Sequence, residues 1–336
     1  RVDLSVFRNR LLGFGLSTED VDRDCSNVAS LERWLKKRGV TPDSASERDL
    51  RAYLKRLIQR NRNSIDRMLS ILFYYETTNR VDLELYMSAV VDGSQDMDDF
   101  LERVAGISGK VFARRLEKEI PQPPLGTDPA HLPRYTARLI RYLLLHMPEA
   151  DVRRALDEHH EGLIPIQYGT ERDLYRAASS MDEYLLASAK LEELKCRAFQ
   201  RAGSKWCELF FPKAYVDRIV LCQERLSAVR RGNTLYITQP PYLPARYIEA
   251  GTLEKKRYYT CHDPYVRASL LTGTPSISVV WCERCVSRYR RQYEHLLERP
   301  LHAEVVECAL LGDTACRFAV YLEQEASREI MFQRHL

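Results

Sequence analysis

Nine cysteines are spread over 336 residues, and five of them, Cys261, Cys282, Cys285, Cys308 and Cys316, fall in the last 76. Thiols at that density have three uses. As thiolates they bind a metal. As a Cys-x-x-Cys pair, here Cys282 and Cys285, they cycle between dithiol and disulfide. As neutral groups they pack like small hydrophobes. Three thiolates with one further nitrogen, oxygen or sulfur donor make a closed tetrahedral structural site. Cys261 adds a fourth chemistry, because His262 follows it and could serve as the base for a thiol nucleophile. Neighbours on a strand point to opposite faces, so that pair meets only across a bend. The odd cysteine count argues against a fully paired secreted scaffold and for a reducing, cytoplasmic compartment.

The elements that must position these groups are legible in part. Residues 281–297 read as a helix stopped before Pro300. Residues 302–310 and 316–322 read as two strands joined around Gly312-Asp313. Strict alternation puts Glu304, Val306 and Cys308 on one face of the first strand, and Val305 and Glu307 on the other. Residues 257–261 read as extended, with Pro264 opening a helix. Cys261 would then face a helix N-terminus, which lowers a thiol pKa. Residues 234–238 are β-branched and aromatic, hence a strand. Residues 212–230 read as a helix closed by Gly232, and 244–250 as a short helix stopped by Gly251. Tyr236, Tyr258, Tyr259 and Trp281, within a wider set that includes Trp206, Phe210 and Phe211, could line a ligand pocket.

The first 200 residues read as almost wholly helical. Ser46 with Asp49 forms a capping box before Leu50, Tyr53, Leu54 and Leu57, which recur at helical spacing. Pro121-Gln122-Pro123-Pro124-Leu125-Gly126 is a rigid connector. The expected fold is α+β: a helical bundle over 1–120, a helical linker region over 121–200, and an α/β domain with a small, mainly antiparallel sheet over 201–336. No apolar run reaches the roughly 18 residues of a membrane span, and no signal-peptide pattern opens the chain. The net charge of +4 demands no polyanionic partner. Locally, residues 33–67 carry eleven Lys/Arg against four Asp/Glu, although 19–92 as a whole balance at thirteen of each sign.

Two resemblances add to this reading. Ser30-Leu31-Glu32-Arg33-Trp34-Leu35, Asp49-Leu50-Arg51-Ala52-Tyr53-Leu54 and Ser64-Ile65-Asp66-Arg67-Met68-Leu69-Ser70 resemble the helical core-binding domain of tyrosine recombinases. That likeness implies DNA backbone contacts, with Arg51, Lys55, Arg60 and Arg67 as the candidates. Trp281-Cys282-Glu283-Arg284-Cys285, Glu307-Cys308 and Gly312-Asp313-Thr314-Ala315-Cys316-Arg317-Phe318 resemble the 4-vinyl-reductase-type ligand-binding domain. This domain also occurs in sensor modules of aromatic-responsive bacterial activators. The same ending is similar to aminothiazoline-carboxylate hydrolase-like proteins. Over residues 148–322 the chain is similar to an uncharacterised bacterial family with Arg-Tyr-Tyr-x-Cys-His-x-Pro, here Arg257-Tyr258-Tyr259-Thr260-Cys261-His262-Asp263-Pro264. The sensor modules imply zinc held by Cys282, Cys308 and Cys316. Their carboxylate position is Val305 here, leaving Glu304, Glu307 or Cys285 to complete the set.

The expected function is a small-molecule-binding sensor or regulatory protein with a structural zinc. The alternatives are a hydrolase of a small sulfur- or nitrogen-containing ring, with Cys261 and His262 catalytic, and a DNA-binding accessory protein. The expected partners are a small-molecule ligand, DNA and a second copy of the chain, with no membrane.

Overall fold

The computed structural model describes residues 4–95, 98–157, 164–202 and 213–322. It is α+β, with a helical N-terminal region and a small antiparallel sheet near the C-terminus. The chain divides into two compact units. One comprises the described part of Arg1–Leu139 together with Asp263–Ala268; the other comprises that of Ile140–His262 and Ser269–Leu336.

The first unit contains α1 (Ser5–Gly13), α2 (Thr18–Lys36), α3 (Glu47–Gln59), α4 (Ile65–Thr77), α5 (Val81–Gln95), α6 (Asp98–Ser108), α7 (Lys110–Glu119) and the start of α8 (Leu132–His146). The capping box forms: Ser46 Oγ accepts the Asp49 N–H, and Asp49 accepts the Ser46 N–H at 3.0 Å. The Ser46 N–H, which lies ahead of the helix, thereby gains an acceptor, and the Asp49 N–H is shared between Ser46 Oγ and the Ser46 carbonyl. Leu50, Tyr53, Leu54 and Leu57 are buried, as their spacing requires, against Val28, Leu31 and Leu35 of α2 and Met68, Ile71, Tyr74 and Tyr75 of α4. Inside this core the Ser70 hydroxyl donates to Asp24 at 2.7 Å and accepts from the Asn27 amide at 3.0 Å, tying α4 to α2. Asp263–Ala268 is built into the same unit. Thr136 donates to the Tyr265 carbonyl at 2.9 Å, and the Tyr265 hydroxyl donates to the Gly93 carbonyl.

The second unit continues with α9 (Glu149–Leu156), α10 (Ile164–Ala177), α11 (Met181–Ala202), α12 (Lys213–Ile219), α13 (Gln223–Leu226), β1 (Val229–Arg231), β2 (Thr234–Gln239), α14 (Pro244–Glu249) and α15 (Leu253–Thr260). After α16 (Pro264–Arg267), which belongs to the first unit, come α17 (Ser269–Thr272), α18 (Glu283–Leu297), β3 (His302–Glu307) and β4 (Cys316–Tyr321). The sheet order is β1-β2-β4-β3, every pairing antiparallel. One face, with Leu235, Ile237, Phe318 and Val320, is covered by Val286, Tyr293 and Leu296 of α18. Tyr289 of that helix stacks on Phe318 at 5.0 Å. The opposite face is polar and aromatic. Tyr236 lies between Arg231 and Arg317, whose guanidinium carbons are 5.4 and 4.6 Å from its ring centre.

Three local expectations are corrected. Residues 253–260 are helix, not extended: Thr252 caps the Lys255 N–H, and Leu-Glu-Lys-Lys-Arg carries more helical preference than Tyr258-Tyr259 carries for a strand. Residues 213–231 are not one helix. The chain turns extended at Cys222, and Gly232, at φ 59°, opens the tight turn of the β1–β2 hairpin instead of closing a helix. Finally, β3 does not alternate throughout. A bulge at Val306 carries the register from Val305↔Phe318 to Glu307↔Arg317, so Glu304 and Glu307 share one face. Pro212, Trp206, Phe210 and Phe211 lie outside the described residues. No described helix is long and apolar enough to cross a membrane.

Candidate functional site

The sheet presents its thiols at one end. Cys316 is the first residue of β4, on the face that α18 covers, and Cys308 follows the last residue of β3. Between them the chain makes a turn of 3-10 helix, Ala309–Leu311, and passes Gly312 at φ 106°. Cys282 is the N-cap of α18 and Cys285 lies three residues further on, about one turn along the helix. The Sγ atoms of Cys282 and Cys308 are 3.8 Å apart. Cys285 and Cys261 both act electrostatically on Cys282, and Cys308 does so on Cys316. Sequence spacing pointed to the first four of these thiols. The structure brings Cys261 in as a fifth.

Cys261 arrives because α15 is tied to the turn between Cys308 and Cys316. Arg257 donates to the Ala309 carbonyl at 2.8 Å, and Thr260 donates to the Thr314 carbonyl at 2.9 Å. These two bonds flank the turn, and Cys261 is the next residue, at 8% exposure. It caps a helix C-terminus rather than ending a strand. Asp313 completes the turn by accepting the Cys308 N–H at 3.0 Å. Sequence reasoning quoted Arg257, Thr260 and Asp313 within motifs but gave them no part in holding this turn. Only the Gly-Asp turn signal marked the last of them.

The start of α18 is fixed by charge. Glu283 is buried and accepts from Arg153 of α9 at 3.1 Å and from Arg290 at 3.2 Å. Burial pushes its carboxyl up, although both guanidinium groups oppose the shift. Within the thiol pair Cys282 is the donor and Cys308 the acceptor. This bond, with burial, raises the Cys282 pKa well above the usual thiol value. The same bond lowers Cys308 to about 7, against its own burial and with help from the N–H groups of Leu311 and Leu310. Burial pushes Cys316 up to about 12.

Donor chemistry suits zinc, since a tetrahedron with Zn–S bonds of about 2.3 Å has sulfur–sulfur edges of about 3.8 Å. The Cys282–Cys308 pair has that edge length. Among the described residues, however, no three His, Cys, Asp or Glu side chains are already grouped tightly enough to hold a metal. The carboxylate substitutes are directed elsewhere. The Tyr321 hydroxyl donates to Glu304, and Glu307 lies 3.8 Å from Arg317, both on the face away from α18.

The other candidates are placed as follows. The His262 Nε2 lies 2.8 Å from the Pro240 carbonyl, and its ring packs edge-on against Tyr242 at 5.4 Å. A carbonyl only accepts, so Nε2 carries the proton. Tyr258 and Tyr259 meet edge to face on α15. Tyr236 is on the sheet face away from α18, while Trp281 is buried in the 3-10 turn leading into α18, with Arg284 over its ring. These four aromatics thus occupy three different elements. In the helical unit, Arg51 pairs with Asp128, and Arg67 donates to Asn27 at 3.2 Å and to the Arg62 carbonyl at 3.3 Å. Lys55 and Arg60 are exposed.

Compared with protein families, curated proteins and solved structures, the chain matches none.

Proposed function

We propose that the chain is a small-molecule-responsive regulatory protein whose second unit is stapled at one end of its sheet by a structural zinc. The observation that supports this most is the 3.8 Å separation of Cys282 and Cys308, with Cys285 one turn along the helix from Cys282 and Cys316 opening β4 on the face that α18 covers. Cys282, Cys308 and Cys316 would hold the ion, with a further thiol as the fourth donor. Zinc supplies no redox chemistry there; it fixes four ligands in one geometry. These residues would then lock the start of α18 to the ends of β3 and β4. All eight described cysteines are free thiols, which supports a reducing, cytoplasmic setting. The ligand half of the reading is supported by the Gly-Asp-x-x-Cys-Arg-Phe ending and by the half-buried Tyr236 held between Arg231 and Arg317. The hydrolase alternative has less support, because Cys261 is buried at a helix C-terminus, whose dipole disfavours a thiolate, while the Nε2 of its neighbour His262 is bonded to the Pro240 carbonyl.

Metal analysis of protein purified in reducing, chelator-free buffer tests the zinc. The expected result is about one ion per chain, lost in Cys308→Ser together with a lower melting temperature. Metal-free protein that melts where the untreated protein does removes the zinc from this reading. A thermal-shift screen of phenols and aromatic carboxylates tests the ligand. Binding by at least one is expected, and a flat screen rejects that class.

A further inference from the structure

We propose that Cys282 and Cys308 are an oxidisable pair, and that in the metal-free protein a peroxide converts them to a disulfide joining the start of α18 to the end of β3. The inference builds on the site described above but does not require that zinc binds there.

Three observations converge on this pair rather than on any other two of the thiols. The sulfurs of Cys282 and Cys308 are already 3.8 Å apart with a hydrogen bond between them, so bond formation requires a closure of under about 2 Å. Both backbones are held in place. Glu283, next to Cys282, is gripped by Arg153 and Arg290, and the N–H of Cys308 is bonded to Asp313. Cys308 is 1% exposed and the Cys282 residue is half-buried, so the pair lies beneath the surface and suits only a small oxidant such as a peroxide. The Cys282–Cys285 pair, which the sequence motif favours, shares one helix, and joining it would constrain nothing beyond the first turn.

The chemistry balances with a peroxide as the oxidant. One sulfur of the pair attacks the O–O bond. An S–O bond forms, the O–O bond breaks, and the released hydroxide takes a proton to leave as water. The second sulfur then displaces the hydroxyl of this sulfenic acid. An S–S bond forms, the S–O bond breaks, and a second water leaves with the thiol proton. Two electrons pass from the sulfurs to the peroxide, and both its oxygens end as water.

The test treats the full chain, stripped of metal by a chelator, with hydrogen peroxide and maps disulfides without reduction. Trypsin separates Cys282 from Cys285 at Arg284, and cleavage after Asp313 separates Cys308 from Cys316. The expected product links the Cys282 peptide to the Cys308 peptide, with a loss of two alkylatable thiols per chain. Cys316→Ser should retain the link. Cys282→Ser and Cys308→Ser should each abolish it. Peroxide-treated wild type in which Cys282 and Cys308 remain alkylatable, or in which Cys308 joins Cys316, overturns the proposal. Because the protein is metal-free throughout, absence of zinc from the native protein would sink the zinc reading alone, and absence of the cross-link would sink this one alone.

Discussion

A buried sulfur carries negative charge near neutral pH only where something donates to it. Cys308 is that sulfur, lowered to about 7 by the Cys282 S–H and by two backbone N–H groups. Its folded value lies below the ordinary 9.0, so it contributes stability that is complete above pH 9 and is lost as pH falls through about 7. Cys316 has the opposite sign. Raised to about 12, it contributes below 9.0 and loses that contribution as pH climbs towards 12. In metal-free protein, ultraviolet thiolate absorbance should therefore show a first step centred near pH 7, missing in Cys308→Ser. Cys282→Ala removes the donor and should move this step upward. A step that persists in Cys308→Ser places the charge on another sulfur. At this scale the sequence was a good guide to residue types and a poor one to partners. Cys282, Cys308 and Cys316 were singled out by the resemblance, whose spacing they match. Nothing local told that Arg67 would bond to Asn27, 40 residues away, or that Arg51 would meet Asp128.

Among the elements, period and caps were readable wherever local preference and tertiary packing agree. The capping box of α3, the span of α8 and the four-residue spacing of the core leucines follow from side-chain chemistry alone. Of the three failures, that at 253–260 was a misjudged local balance between the Thr252 cap and the two tyrosines, and the other two came where a distant strand decided the outcome. The segment before Gly232 is drawn out of helix because β1 takes its hydrogen bonds from β2, and the bulge in β3 depends on pairing with β4. One ion pair ties these pieces together. Arg317 of β4 bonds both carboxylate oxygens of Glu224 in α13, and Thr238 of β2 donates to the same carboxylate at 2.8 Å. Burial raises the Glu224 carboxyl, but Arg317 and Thr238 outweigh it and hold the group below the ordinary 4.5. The stability it contributes is thus present above pH 4.5 and lost as pH falls through the lower folded value. Glu224→Gln should cost about 1–2 kcal/mol at neutral pH, read by urea unfolding. The difference from wild type should shrink in acid. A penalty that stays constant down to the acid limit would show that packing, not charge, is what the substitution removes.

For the whole molecule, the route of the chain matters more than any single contact. The second unit yields the chain to the helical unit after His262 and regains it at Ser269. Pattern alone assigns 201–336 to one domain, because the partners of Asp263–Ala268 lie far back in the sequence. The Tyr265 hydroxyl reaches Gly93, and its carbonyl accepts from Thr136. This excursion begins two residues after Cys261, whose helix is bonded to both sides of the Cys308–Cys316 turn through Ala309 and Thr314. Whatever stiffens that turn also stiffens the end of α15, and the peptide chain is continuous from there into Asp263–Ala268. Cross-linking Cys282 to Cys308, or loading zinc, should therefore slow amide exchange at residues 258–268 as well as at 308–316. Exchange is the fitting measurement because it reports local opening over minutes to hours. Thr260→Val removes the bond to Thr314 and should leave the turn protected while 258–268 exchange as they do in the untreated protein. If wild type slows only at 308–316, the state of the thiols stays within the second unit.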